Sequence, residues 1–122
     1  HEAETYVIGG GKALVRMVQR DGRNYMGILE AYPGAKVPVH THGEATEMLY
    51  VLEGAGEMMV EGRRTSVKAG HMIQVPPGVQ HSFSIADDAK GRFVAIQIYS
   101  PSGPQKRFLQ GKRVEDSEAQ EP

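Results

Sequence analysis

Residues 34–54 read GAKVPVHTHGEATEMLYVLEG, and the fold is decided there. His40 and His42 stand two apart in a run that also carries Val37 and Val39. Side chains alternate faces along a strand, so both imidazoles are expected to point the same way. Five residues on, Glu47 opens a second extended run. There Glu47, Leu49 and Val51 share one face, and Met48, Tyr50 and Leu52 share the other. Both faces are largely apolar, so Glu47 heads into a buried environment. A buried carboxylate must be paired or bound to a cation, because isolated burial is very costly. Neutral imidazoles bring no compensating charge; a metal dication does.

A second stretch completes the set. Residues 70–85 read GHMIQVPPGVQHSFSI, where His81 follows the Pro76-Pro77-Gly78 turn and opens another strand-like run. Imidazole and carboxylate are the usual ligands of divalent first-row transition metals. Taken singly, His42 beside Gly43 reads as a turn residue, His81 as a surface histidine and Glu47 as a solvated strand charge. Taken together, His40, His42, Glu47 and His81 read as one metal site.

Outward from these segments the chain is punctuated by 15 glycines, with short runs rich in Val, Ile, Met, Tyr and Phe between them. That pattern predicts many short strands. They are expected at 12–19, 25–32, 45–52, 57–61, 65–68, 72–75, 81–85 and 92–99. Glu61-Gly62 is expected to form a tight hairpin turn, and Pro33-Gly34 and residues 100–103 are further breaks. No amphipathic helix of useful length stands out. Strand after strand with short turns implies a sandwich or barrel. The expected organisation is one domain over 1–102, with its core at about 12–100 and a polar tail at 103–122. In that tail Phe108 and Leu109 are the only bulky pair: either the whole segment is a frayed, disordered terminus, or these two dock on the domain before the chain frays.

The 122 residues suit one domain with one core. Hydrophobic residues make up 39% and charged residues 24%, as in a soluble globular protein. A net charge of −1 speaks against a nucleic-acid partner. No apolar run approaches the roughly 20 residues that span a bilayer. The absence of cysteine excludes disulfides and thiolate zinc sites but leaves the compartment open, with the cytoplasm favoured. The chain starts at His1 with no Met, so an upstream piece is expected to have been removed.

These residues carry a family resemblance. Residues 34–54 match the pattern G-x5-H-x-H-x4-E-x6-G of the cupin superfamily, and residues 70–81 match G-x5-P-x-G-x2-H in register. The second pattern continues to an Asn, where this chain has Ile85. The linker at 55–69 is short, as in small single-domain bacterial cupins. The resemblance implies an all-β, antiparallel double-sheet jelly-roll barrel of six to eight strands, with His40, His42, Glu47 and His81 as ligands near one mouth. Ile85 puts a supporting hydrogen bond in doubt, not the ligand set. Gly34, Gly54, Gly70 and Gly78 fall where a chain turning between sheets needs positive φ.

One divalent ion per chain (Mn, Fe, Ni, Cu or Zn) would keep about two open positions if octahedral. Two functions follow. One is a metal-dependent enzyme, a dioxygenase or an isomerase or decarboxylase, acting on a small oxygenated molecule. The other is a non-catalytic module that binds or senses a sugar or organic acid. The discriminator is a proton-transfer group over the open positions. Glu44 and Glu57 are weak candidates by proximity. In the run RFVAIQIYS, Gln97 and Tyr99 share one face and are the better candidates to line the cavity. Met48, Met58, Met59 and Met72 read as adaptable core filler rather than soft ligands, and either Met72 or Ile73 should face the cavity. Apolar residues on both faces of 45–52 imply association, most simply as a homodimer.

Overall fold

The computed structural model describes residues 4–21 and 23–114. Eleven strands occur among them: β1 Glu4–Ile8, β2 Ala13–Arg20, β3 Tyr25–Ala31, β4 Lys36–His40, β5 Thr46–Glu53, β6 Ala55–Val60, β7 Arg63–Lys68, β8 Met72–Val75, β9 His81–Ser84, β10 Phe93–Ser100 and β11 Lys112–Val114. All pair antiparallel, in a seven-stranded sheet of order β11-β1-β2-β3-β10-β5-β8 and a four-stranded sheet of order β4-β9-β6-β7. This is the double-sheet architecture that the family resemblance implies, with more strands than its six to eight.

The alternation in the sequence becomes the inner and outer faces of the sheets. On β5, Glu47, Leu49 and Val51 are buried, whereas Tyr50 and Leu52 on the other face are exposed. On β10, Phe93, Ala95, Gln97 and Tyr99 all turn inward and are buried. Met58, Val67, Phe83 and Ile85 meet them in the core. Glu61 and Gly62, both at positive φ (51° and 79°), make the two-residue hairpin that joins β6 to β7. Such a turn matches the twist of its flanking strands. The four expected glycines all adopt positive φ. Gly54 has a second constraint: a Cβ there would clash with the Arg92 carbonyl oxygen.

Several expectations change. A strand precedes the anticipated core: β1 pairs with β2 on one side and β11 on the other. The tail enters the fold as a 3-10 helix at Pro104–Gln110 followed by β11. Phe108 is buried there against the Tyr25 and Tyr99 rings, but Leu109 stays exposed. Met58 is core filler; Met72 is 65% exposed, and it is Ile73 that packs on the core. Residue 1 and the acidic end at 115–122 lie outside the described residues. No described helix is long and apolar enough to cross a membrane.

Ile85 explains its own departure from the family pattern. Its side chain is buried, and its backbone N–H donates to the Ala35 carbonyl at 2.9 Å. Its carbonyl accepts from the Gly34 N–H at 3.1 Å. The main chain thus ties this strand end to the segment before β4, and the side chain fills the core.

Candidate metal centre

Both sheets contribute to the site. β4 and β9 are neighbours, and His40 and His81 are direct cross-strand partners. β5 and β10 are neighbours in the other sheet, and Glu47 lies opposite Tyr99. His42 is not on a strand, contrary to the simple two-apart reading. β4 ends at His40, and the chain enters a turn with Gly43 at φ 58° and a bond from the Ala45 N–H to the His42 carbonyl. The imidazole converges all the same, through the turn rather than the pleat.

One ligand atom from each of His40, His42, Glu47 and His81 lies within 4.8 Å of the others. Nε2 of His42 is 3.2 Å, and Nε2 of His81 is 3.1 Å, from Oε1 of Glu47. Nε2 of His40 is 3.1 Å from Nε2 of His42.

The tautomers follow from the outer contacts. Nδ1 of His40 lies 2.6 Å from the Pro38 carbonyl oxygen, and Nδ1 of His81 lies 2.9 Å from that of Val79. A carbonyl only accepts, so each Nδ1 carries the proton and each neutral ring presents an Nε2 lone pair to the cluster. Metal-binding histidines use this arrangement. Lone pairs facing one another and a carboxylate oxygen at such distances repel unless a cation sits among them. The donor set therefore fits a divalent metal held by three Nε2 atoms and Glu47 Oε1.

Burial pulls the His81 pKa down, but its hydrogen bond with Glu47 outweighs this and raises it. Burial pushes His40 down to about 4, partly offset by the Pro38 carbonyl. Glu47 is 4% exposed, and burial alone would raise its pKa. Hydrogen bonds from His42, His81 and Gln97 more than reverse this and hold it ionised.

Gln97 and Tyr99 both reach the site. Gln97 Nε2 donates to Glu47 Oε2 at 3.0 Å. Because a carboxylate only accepts, the amide orientation is fixed, and buried Gln97 Oε1 is left without a partner. The Tyr99 ring sits 4.9 Å from that of His42. Burial first, and then the charge of Glu47, raise its hydroxyl pKa well above the ordinary value, so it stays neutral. Glu44 lines an open cavity of about 420 Å³ shared with His42 and with Pro104 and Arg107 of the 3-10 helix. Glu57 is remote from the centre: it pairs with Arg64 at 3.6 Å on the exposed hairpin. It lines a larger cavity of about 630 Å³ with Lys90 and Arg92, at the far end of β5. Of the cluster, His42 lines the smaller cavity.

Sequence reasoning missed Arg107. Its Nη2 donates to the Tyr99 hydroxyl oxygen at 3.2 Å. The tail it sits in has no strand or helix periodicity to mark it.

A cupin-domain family model, Cupin_2, matches residues 27–97, more than half of the chain. The chain belongs to the cupin family. A solved RmlC-like cupin from Shewanella frigidimarina is 27% identical, with a TM-score of 0.71 over 82% of this chain and 85% of that one. The polyketide cyclase RemF from Streptomyces resistomycificus shares the fold at 22% identity and a TM-score of 0.71, over 84% of this cupin and 76% of that chain. "Polyketide synthase CurC" of Streptomyces cyaneus is 29% identical over 70 residues, 57% of this chain and 46% of that protein. This cupin spans about half the length of the curated relatives it matches.

Proposed function

We propose that this cupin is a metal-dependent enzyme acting on a small oxygenated organic molecule. In this reading His40, His42, Glu47 and His81 hold one divalent transition metal. The observation that carries it is the convergence of three imidazole Nε2 atoms on a buried carboxylate. The bound metal would act as a Lewis acid toward a carbonyl or hydroxyl oxygen. Gln97 fixes Glu47 through Oε2, leaving Oε1 for the metal. Neutral Tyr99 keeps its proton beside His42.

Between the oxygenase and isomerase or decarboxylase branches, the polyketide proteins among the relatives favour the second, on carbonyl-rich substrates. Metal-free protein is to be loaded with Mn, Fe, Ni, Cu or Zn in turn. It is then given small diketones, phenols and keto-acids with and without dioxygen. Substrate loss that does not need dioxygen supports this reading, and loss that requires it moves the assignment to the oxygenases. Metal and ligand binding without turnover would leave a binding module.

A homodimer belongs to the same proposal. Tyr50 and Met72 are register partners on the outer face of the larger sheet, and both are exposed. Half-buried Met48 and Ile98 continue that face as a second pair. Two copies packed face to face would cover this strip.

A further inference from the structure

The 3-10 helix brings a cation to the mouth of the centre. Arg107 lines the same 420 Å³ cavity as His42. Its guanidinium is held from two sides, by the hydrogen bond to Tyr99 and by the Phe108 ring, whose centroid is 5.0 Å from Cζ. Tyr99 and Phe108 are themselves buried, so this perch is rigid. Among the described residues no carboxylate pairs with Arg107. Glu44 lines the cavity too but makes no ion pair with it. Arginine has five N–H donors in a planar fork, and one is used on Tyr99. The rest of the fork is free for a planar anion, the geometry in which Arg–carboxylate pairs are strongest. The positive charge of Arg107 is also felt at His40, His81 and Tyr99, which places it close to the cluster.

We propose that Arg107 is the specificity-determining residue of this site, receiving a carboxylate of a small organic acid whose other oxygens reach the metal cluster. The proposal rests on the metal-dependent reading and narrows its substrate class to hydroxy- or oxo-acids with a carboxylate beyond the chelating oxygens. The neutral Tyr99 hydroxyl accepts from Arg107 and keeps its own proton. Glu44 on the same cavity disfavours a second anionic group there and accepts from a hydroxyl instead.

The test uses lactate and malate as probes, titrated calorimetrically into the metal-loaded chain. Both chelate through a 2-hydroxycarboxylate; malate adds one carboxylate. Wild type is expected to bind malate about tenfold or more tightly than lactate, the worth of one charge-assisted hydrogen-bonded contact. Arg107→Gln should bring malate down to the lactate value, and Arg107→Lys should keep part of the preference. Metal content and melting temperature, measured on the same samples, should match wild type. A malate preference retained in Arg107→Gln, or no preference in wild type, overturns the proposal. A wild type that takes up no metal overturns the metal reading instead. The Arg107 contact is then decided by malate binding to the metal-free proteins, where equal binding by wild type and Arg107→Gln removes it.

Discussion

Gln97 and Glu47, 50 residues apart in sequence, meet at 3.0 Å between Nε2 and Oε2 on adjacent strands of the larger sheet. This bond divides the carboxylate into two roles. Oε2 is satisfied by the amide, and Oε1 turns to the imidazoles of His42 and His81.

Gln97→Leu keeps roughly the shape and removes the donor. Glu47 Oε2 then stays buried without that partner, at a cost of about 1–3 kcal/mol. The metal-orienting contact goes with it, and loss of such an outer contact typically weakens metal binding about 10–100-fold. Urea denaturation and metal titration of the variant read the two effects separately. Unchanged metal affinity would show that Gln97 does not position Glu47.

The centre was legible because its chemistry is tied to residue type and spacing. Glu47 in an apolar strand has few explanations, and inward-facing Gln97 stood out for the same reason. What was not legible depends on long-range pairing. β1 is five residues long and lies between β2 and β11; β11 is three residues long and pairs with β1, so each is a strand chiefly because of the neighbours beside it. Strand propensity depends strongly on that context. The helix carrying Arg107 is a 3-10 segment of seven residues, too short for a 3.6-residue stripe. Strand alternation does not account for His42, since the turn at Gly43 brings it into the cluster.

Phe108→Ala should unseat that helix. The ring is 3% exposed and packs on Tyr25 and Tyr99, with centroids at 6.3 and 6.4 Å. Truncating such a buried aromatic costs about 3–5 kcal/mol. Chemical denaturation gives the value, and a loss below 1 kcal/mol would mean the helix contributes little to the fold.

Association is tested on the outer face. Sedimentation should show a dimer at micromolar concentration, and Tyr50→Lys combined with Met72→Glu should yield a monomer that still folds. A wild-type monomer near 13.3 kDa at high micromolar concentration would remove the dimer.

Acid should destabilise the metal-free protein. His40 has a folded-state pKa pushed down to about 4, mainly by burial. Between about pH 6.5 and 4 the unfolded chain binds a proton that the folded chain does not, so stability falls as pH falls. Glu47, depressed despite its burial, adds a loss of the same sign below about pH 4.5. His81 is raised, so its contribution is complete below its unfolded value and is lost as pH rises through the folded one. His40→Gln removes only the first effect. Its melting temperature should fall less than that of wild type from pH 6.5 to 4, and an equal fall would count against the burial of this imidazole.

The last prediction separates the four ligands by charge. Metal binds the native state and not the unfolded one, so it should stabilise the fold by about 2.7 kcal/mol at a hundredfold excess over Kd. Chelation should lower the melting temperature accordingly. Replacing His40, His42 or His81 with Ala removes one donor at the barrel mouth. Metal affinity should fall sharply while the barrel still folds, because the hydrophobic core is built by Val15, Val51, Phe93 and their apolar neighbours. Glu47→Gln keeps the shape and an oxygen donor but removes the one negative charge of the set. The uncompensated positive charge weakens hard cations most, so the loss should be larger for Mn than for Cu. Metal content and titrated affinity of each variant are the measurements. If His81→Ala kept full stoichiometry and affinity, β9 and the segment before β5 would not share one ion, and the metal-centre reading would fall.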